Sequence, residues 1–160
     1  MNQEERKEFV RNHRTCIYAY ERRNGPPSMS VVYYVMDGDD ILVVTMAARA
    51  KALALRRNSQ VSLCILDEKW PLSYLLIFGR GRIEEGGATD MMMKITEIMS
   101  GVPTPESKRP ELAEMARKEE RVVIRITPES SFETPPRHIY ADTDISTITH
   151  SLGATLPWNG

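Results

Sequence analysis

ILVVTMAARAKALALRRNSQVSLCIL, residues 41 to 66, decides the fold. An apolar, β-branched run ends at Thr45, a segment rich in Ala, Leu and Arg follows (Ala47 to Arg57), and a second apolar run opens at Val61. Short β-branched runs suit buried strands, and Ala, Leu and Arg are strong helix formers, so the stretch reads strand, helix, strand. A strand that feeds a helix start leaves unpaired backbone N–H groups and a partial positive charge at one point. Arg49 and Lys51 fall there, and together they make a receptor for a phosphate or another compact anion. They are two residues apart, so on a regular helix they point to nearly opposite sides. Both reach one anion only if Arg49 lies in the loop before the first turn. Arg56 and Arg57 come further on, where one of them adds longer-range positive potential.

Outward from this stretch, the pattern is mainly β. Asn2 to Asn12 reads as a short amphipathic helix with Phe9 and Val10 on its apolar side, and Thr15 to Glu21 as a strand. Arg22-Arg23-Asn24-Gly25 opens a turn, and its two arginines either extend a basic surface or stand in water. Ser28 to Met36 is expected to return as a strand, and Asp37 to Asp40 to turn into Ile41 to Thr45, which makes a three-strand antiparallel meander. Past Val61 to Leu66, the run Leu72 to Glu85 is a long strand in which Gly79 and Gly81 mark a bend, bulge or close backbone approach. Ala88 to Ser100 is helical, with Met92, Ile95 and Met99 on its apolar face as core filler. Glu111 to Glu120 is a charged helix and Arg121 to Thr127 a further strand, with Phe132 extending the sheet beyond Pro128. About six antiparallel strands with peripheral helices imply a closed or nearly closed β-barrel. Residues 1–134 form this domain, and residues 135–160 a tail that is mobile or laid over a neighbouring surface.

Composition narrows the function classes. The chain has 160 residues, one domain in length, with 41% apolar residues, 27% charged residues and a net charge of −1. A nucleic-acid binder would carry a basic excess, so any basic site here is local. Cys16 and Cys64 sit inside apolar runs as small buried hydrophobes. Three His without a Cys–His cluster give no metal-site pattern. The charged opening lacks the apolar centre of a signal peptide, and no apolar run approaches the roughly 20 residues that cross a bilayer. The expectation is a cytoplasmic protein without a membrane span.

Other constellations compete less well. Asp39–Asp40, Glu84–Glu85 and Glu119–Glu120 are paired acids, but they lie in turns or at strand ends and read as solvated charges. His138, Asp142 and Ser146 lack the nucleophile-elbow spacing. Gly79-Arg80-Gly81 falls inside a strand, not before a helix, so it forms no dinucleotide loop. No residue is singled out as catalytic.

The order of these motifs resembles the flavin and deazaflavin oxidoreductases of the split β-barrel class, related to pyridoxamine 5′-phosphate oxidase. The resemblance covers residues 4 to 134: EERKEF, RTCIYAY, the NGPP turn, SMSVVYYVMDGDDILVVT, Thr45 with Lys51 six residues on, VSLCIL, FGRGRIEE and RVVIRIT. It implies an antiparallel split β-barrel of six to seven strands and a homodimer with two cofactor sites at the subunit interface. FMN or the deazaflavin F-420 would place its phosphate near Thr45, Arg49 and Lys51, within reach of the potential of Arg56. Its ring system would lie along Ser30, Val31 and Val32. Trp70, Tyr74, Tyr140 and Trp158 are candidates to cover the ring. Arg49-Ala50-Lys51 stands where the vitamin-forming oxidase has Ser-Arg-Lys, which points away from vitamin synthesis. The implied activity is hydride transfer to an unsaturated small molecule, with a non-catalytic carrier or sensor of the same cofactor as the alternative.

Overall fold

In the computed structural model, residues 1–69, 72–133 and 154–159 are described. The first helix, α1 (Gln3–Asn12), starts at a reciprocal cap: the Asn2 side chain accepts from the Glu5 amide at 2.9 Å, and the Glu5 carboxylate accepts from the Asn2 N–H at 2.6 Å. Strands β1 (Thr15–Tyr20) and β2 (Ser28–Tyr33) form an antiparallel hairpin. Strands β3 (Val35–Asp37) and β4 (Asp40–Met46) form a second one. The expected meander is therefore two hairpins, broken at Tyr34. That side chain is 2% exposed, its hydroxyl donates to the Val10 carbonyl, and its N–H donates to the Arg14 carbonyl at 3.1 Å. Burying an aromatic ring with its hydroxyl satisfied outweighs continuing one strand, a gain invisible to local alternation.

After the short helix α2 (Ala50–Leu55) come β5 (Gln60–Asp67), β6 (Ser73–Glu84), α3 (Ala88–Ser100), α4 (Arg109–Lys118), β7 (Arg121–Glu133) and β8 (Ala154–Pro157). The strands form one antiparallel sheet in the order β2-β1-β5-β6-β7-β4-β3, with β8 added alongside β7. It curls into the half-barrel of a split β-barrel, as expected. Tyr18, Ile41, Leu63, Ile65, Leu75, Ile77, Ile124 and Ile126 fill its concave side. Met91, Met92, Met93, Leu112 and Val123 make a second cluster under α3 and α4. Core filling by methionine thus holds for the first turns of α3. Met99 is 60% exposed and does not belong to the buried face.

Gly79 and Gly81 have the roles their position implies. The β6–β7 register shifts between Phe78 and Gly79, opposite Pro128, and a Cβ on Gly79 would lie 2.5 Å from the Thr127 carbonyl oxygen. Gly81 leaves room for Leu55, so it seats α2 on the sheet. Not all of the acidic pairs are solvated. Asp40 and Glu84 converge with Asp37 on Arg125, at 3.2, 2.6 and 2.8 Å, because the β3–β4–β7–β6 register brings them together across four strands.

The described part of the C-terminal segment packs on its own chain. Trp158 is 1% exposed in the main core, where the Arg6 guanidinium donates to the Pro157 carbonyl at 2.9 Å and Gln3 to the Trp158 carbonyl at 3.1 Å. None of the described helices is long and apolar enough to cross a membrane.

Candidate functional site

The chain leaves β4 through a tight turn in which the Arg49 N–H donates to the Met46 carbonyl at 3.0 Å and the Ala47 N–H to the Glu120 carbonyl at 2.9 Å. Arg49 is extended (φ −71°, ψ 146°) and stands just outside the helix. That is the condition under which it and Lys51 can serve one anion. The helix itself is shorter than Ala47 to Arg57. The N–H groups of Arg57 and Asn58 both turn to the Ala54 carbonyl and close it after Leu55. Six residues align too few peptide dipoles to matter much, so the positive potential here comes from side chains.

Lys51 is half-buried, with its Nζ 5.9 Å from the centroid of the Tyr18 ring. It forms no ion pair among the described residues. Burial, and then the nearby Arg49, lower its pKa below the usual lysine value, while Cys16 pulls weakly the other way. Tyr18 is 0% exposed, and its hydroxyl has no hydrogen-bond partner among the described residues. Directly opposite it in the β1–β2 register is Ser30, whose buried Oγ is likewise without a partner. Orphaned buried hydroxyls are rare, and these two face the same side of the sheet beside a cation, where a polar ligand would satisfy them. Burial raises the Tyr18 pKa, so the phenol remains a neutral donor. Burial also pushes the Cys16 thiol up to about 12, which removes it as a nucleophile.

The sequence-derived residues are only partly brought together. Thr45 is buried near the end of β4, just before the turn that carries Arg49. Ser30 and Val32 share the side of Tyr18 and Cys16. Val31 does not: strand alternation points it to the opposite face, where it is 72% exposed. Arg56 caps the far end of α2, so it is separated from Arg49 by the length of the helix. Trp70 and Tyr140 lie outside the described residues, as do His138, Asp142 and Ser146. Tyr74 sits opposite Leu66, on the outer face of β6, and Trp158 is core. Tyr18 is the residue that sequence reasoning missed. Both it and Ser30 were legible as strand residues, but the register that pairs them was not.

A family model described as pyridoxamine 5′-phosphate oxidase matches residues 3–134. Among solved structures, a conserved hypothetical protein from Mycobacterium tuberculosis is similar over 92% of this chain and 94% of its own, at 25% identity and a TM-score of 0.75. An F-420 reductase aligns over 78% of this chain and 94% of its own, at 19% identity and a TM-score of 0.62. An FAD-binding protein from Mesorhizobium loti aligns over 82% and 90%, at 15% identity and a TM-score of 0.58. The last two likenesses speak to the fold alone. No curated protein was found to match the chain.

Proposed function

The chain belongs to the pyridoxamine 5′-phosphate oxidase family, and from that premise we propose that it is an oxidoreductase that binds FMN or the deazaflavin F-420. The observation that carries this reading is Lys51, a half-buried ammonium with no carboxylate against it among the described residues, beside the partnerless hydroxyls of Tyr18 and Ser30. A cation that gives up hydration without an internal counter-ion costs stability unless a ligand neutralises it. The group fits: Arg49 and Lys51 would take its phosphoryl oxygens, with Thr45 at the base of the turn, and Ser30 and Val32 would line the ring side. When bound, its ring supplies the hydride chemistry on an unsaturated small molecule. The protein's own groups bind and orient it. Tyr18, held neutral by burial, would offer it a hydrogen bond, and the apolar residues around Tyr18 would exclude water from that contact.

The proposal includes a homodimer. On the outer face of the sheet, Val31, Ile17, Cys64, Leu76 and Phe132 form an apolar row across five strands. Met29 at 68% exposure, Val31, Leu66 and Leu72 add exposed apolar surface on or beside it. A patch of this kind supports a self-associating surface that places two sites near one interface.

Titration of the apo-protein with FMN and with F-420 tests the cofactor, with a tenfold difference in Kd corresponding to about 1.4 kcal/mol. Turnover of an electron acceptor by the loaded protein separates the enzyme from a carrier or sensor. A protein that binds neither chromophore sinks the proposal.

A further inference from the structure

Half of the protein's described Lys and Arg side chains are paired: Arg109 and Arg117 on α4, and Arg80, Arg121 and Arg125 on the sheet, are among those that face carboxylates. Of the ten that are not, six cluster. Arg22, Arg23, Arg49, Lys51, Arg56 and Arg57 form no ion pair among the described residues, and all six lie on α2, at its ends or in the hairpin turn beside it. The remaining unpaired cations, Arg6, Arg14, Lys69 and Lys94, are scattered over other elements. In a chain with net charge −1, such a concentration is local and specific.

Three of them, Arg22, Arg23 and Arg57, line a cavity. Tyr20, Arg22, Arg23, Leu53 and Arg57 line a space of about 320 Å³ between the hairpin and the outer stripe of α2. The Arg22 guanidinium lies near Gly25 of its own turn: a Cβ on Gly25 would lie 3.6 Å from the Arg22 Nη1. The neighbouring Glu21 forms no ion pair with these arginines; its carboxylate accepts from the Asn58 amide at 2.6 Å. The cavity adjoins the phosphate site. Lys51 stands over Tyr18, the Tyr18 and Tyr20 rings are 6.1 Å apart, and Tyr20 forms the cavity wall.

We propose that this cavity is a second anionic subsite, which takes a flexible, negatively charged extension that the ligand carries beyond its first phosphoryl group. The inference rests on the reading of Arg49 and Lys51 as the phosphate site. FMN ends at that phosphate and leaves the subsite empty. The carboxylate chain of F-420 and the second phosphate of FAD both supply the charge the cavity wants, and guanidinium groups suit either.

The test titrates wild type, Arg22→Gln/Arg23→Gln, Arg57→Gln and Lys51→Ala with FMN, FAD and F-420 at two salt concentrations, with circular dichroism to show each variant folded. The arginine variants are expected to lose at least tenfold in affinity for F-420, for FAD or for both, with a shallower salt dependence, and less than twofold for FMN. Whichever extended ligand responds identifies the extension. An equal loss for FMN, or no loss for either extended ligand, overturns the subsite. Lys51→Ala is expected to weaken all three. If it weakens none while the arginine variants still weaken an extended ligand, the phosphate assignment falls and the subsite stands. If no chromophore binds, triglutamate and pyrophosphate are titrated by calorimetry, and the absence of binding that depends on Arg22 and Arg23 overturns the subsite.

Discussion

Under the proposed reading Lys51 meets two opposing demands, since holding a phosphate would require its charge and yet it is partly withdrawn from water. Removing it should weaken binding of a phosphate-bearing flavin by more than about 1 kcal/mol, because a charge-assisted hydrogen bond is lost. Unchanged affinity for Lys51→Ala would refute the assignment. The pH dependence follows from the direction of the shift. The protonated form binds the anion, so affinity is full below the Lys51 pKa and falls as pH rises through it. Because that pKa is lowered from 10.5, the fall starts at lower pH than it would for a solvated lysine. Lys51→Arg keeps its charge across this range and should abolish the fall, which a titration between pH 7 and pH 10 would register. Cys16 gives a second check. With its thiol pushed up to about 12 and 3% exposed, it should react with a disulfide reagent only when the protein unfolds.

At the scale of elements, the two glycines of β6 do different things: Gly79 admits the close approach of β7, and Gly81 seats α2, the helix that carries Lys51. At Gly79 a Cβ would strike backbone, 2.5 Å from the Thr127 carbonyl oxygen, and backbone at a bulge cannot yield without breaking the β6–β7 ladder. At Gly81 it would meet the end of Leu55 at 2.8 Å, a buried side chain at the end of α2 whose displacement, with its helix, costs less than moving sheet backbone. Gly79→Ala is therefore expected to cost about 1–3 kcal/mol or more in denaturant unfolding, and Gly81→Ala less. Gly81→Ala should instead weaken cofactor binding, since Leu55 carries α2 with it. Equal destabilisation by the two would contradict this division. The helix also shows where local reading stops. The sequence placed the helical segment at Ala47 to Arg57, and the structure trims both ends, because Ala47 and Arg49 are taken by the turn out of β4 and the closure after Leu55 depends on the return into β5.

For the whole molecule, the exposed apolar row on β2, β1, β5 and β6 predicts the oligomer. Val31→Glu should leave the far-ultraviolet spectrum intact and give a monomer by sedimentation, with loss of cofactor affinity if the site is completed by the partner. A variant that sediments as wild type does would remove this face from consideration. The hairpin that carries Val31 is also the one whose Ser30 faces the site, so one strand would serve both surfaces by alternation.

Local pattern was enough to identify nearly every strand and helix, the strand–turn–helix that holds Arg49 and Lys51, and the glycine positions in β6. These depend on side-chain periodicity and propensity over a few residues. Only the tertiary structure decided which strands are neighbours. It split Ser28 to Met36 between opposite ends of the sheet, set Tyr18 across from Ser30, turned Val31 outward and brought Arg22 and Arg23 up to Arg57. It also drew Trp158 into the core. The reason is physical: register and long-range pairing are selected by burial summed over the whole sheet, and no short window of sequence contains that sum.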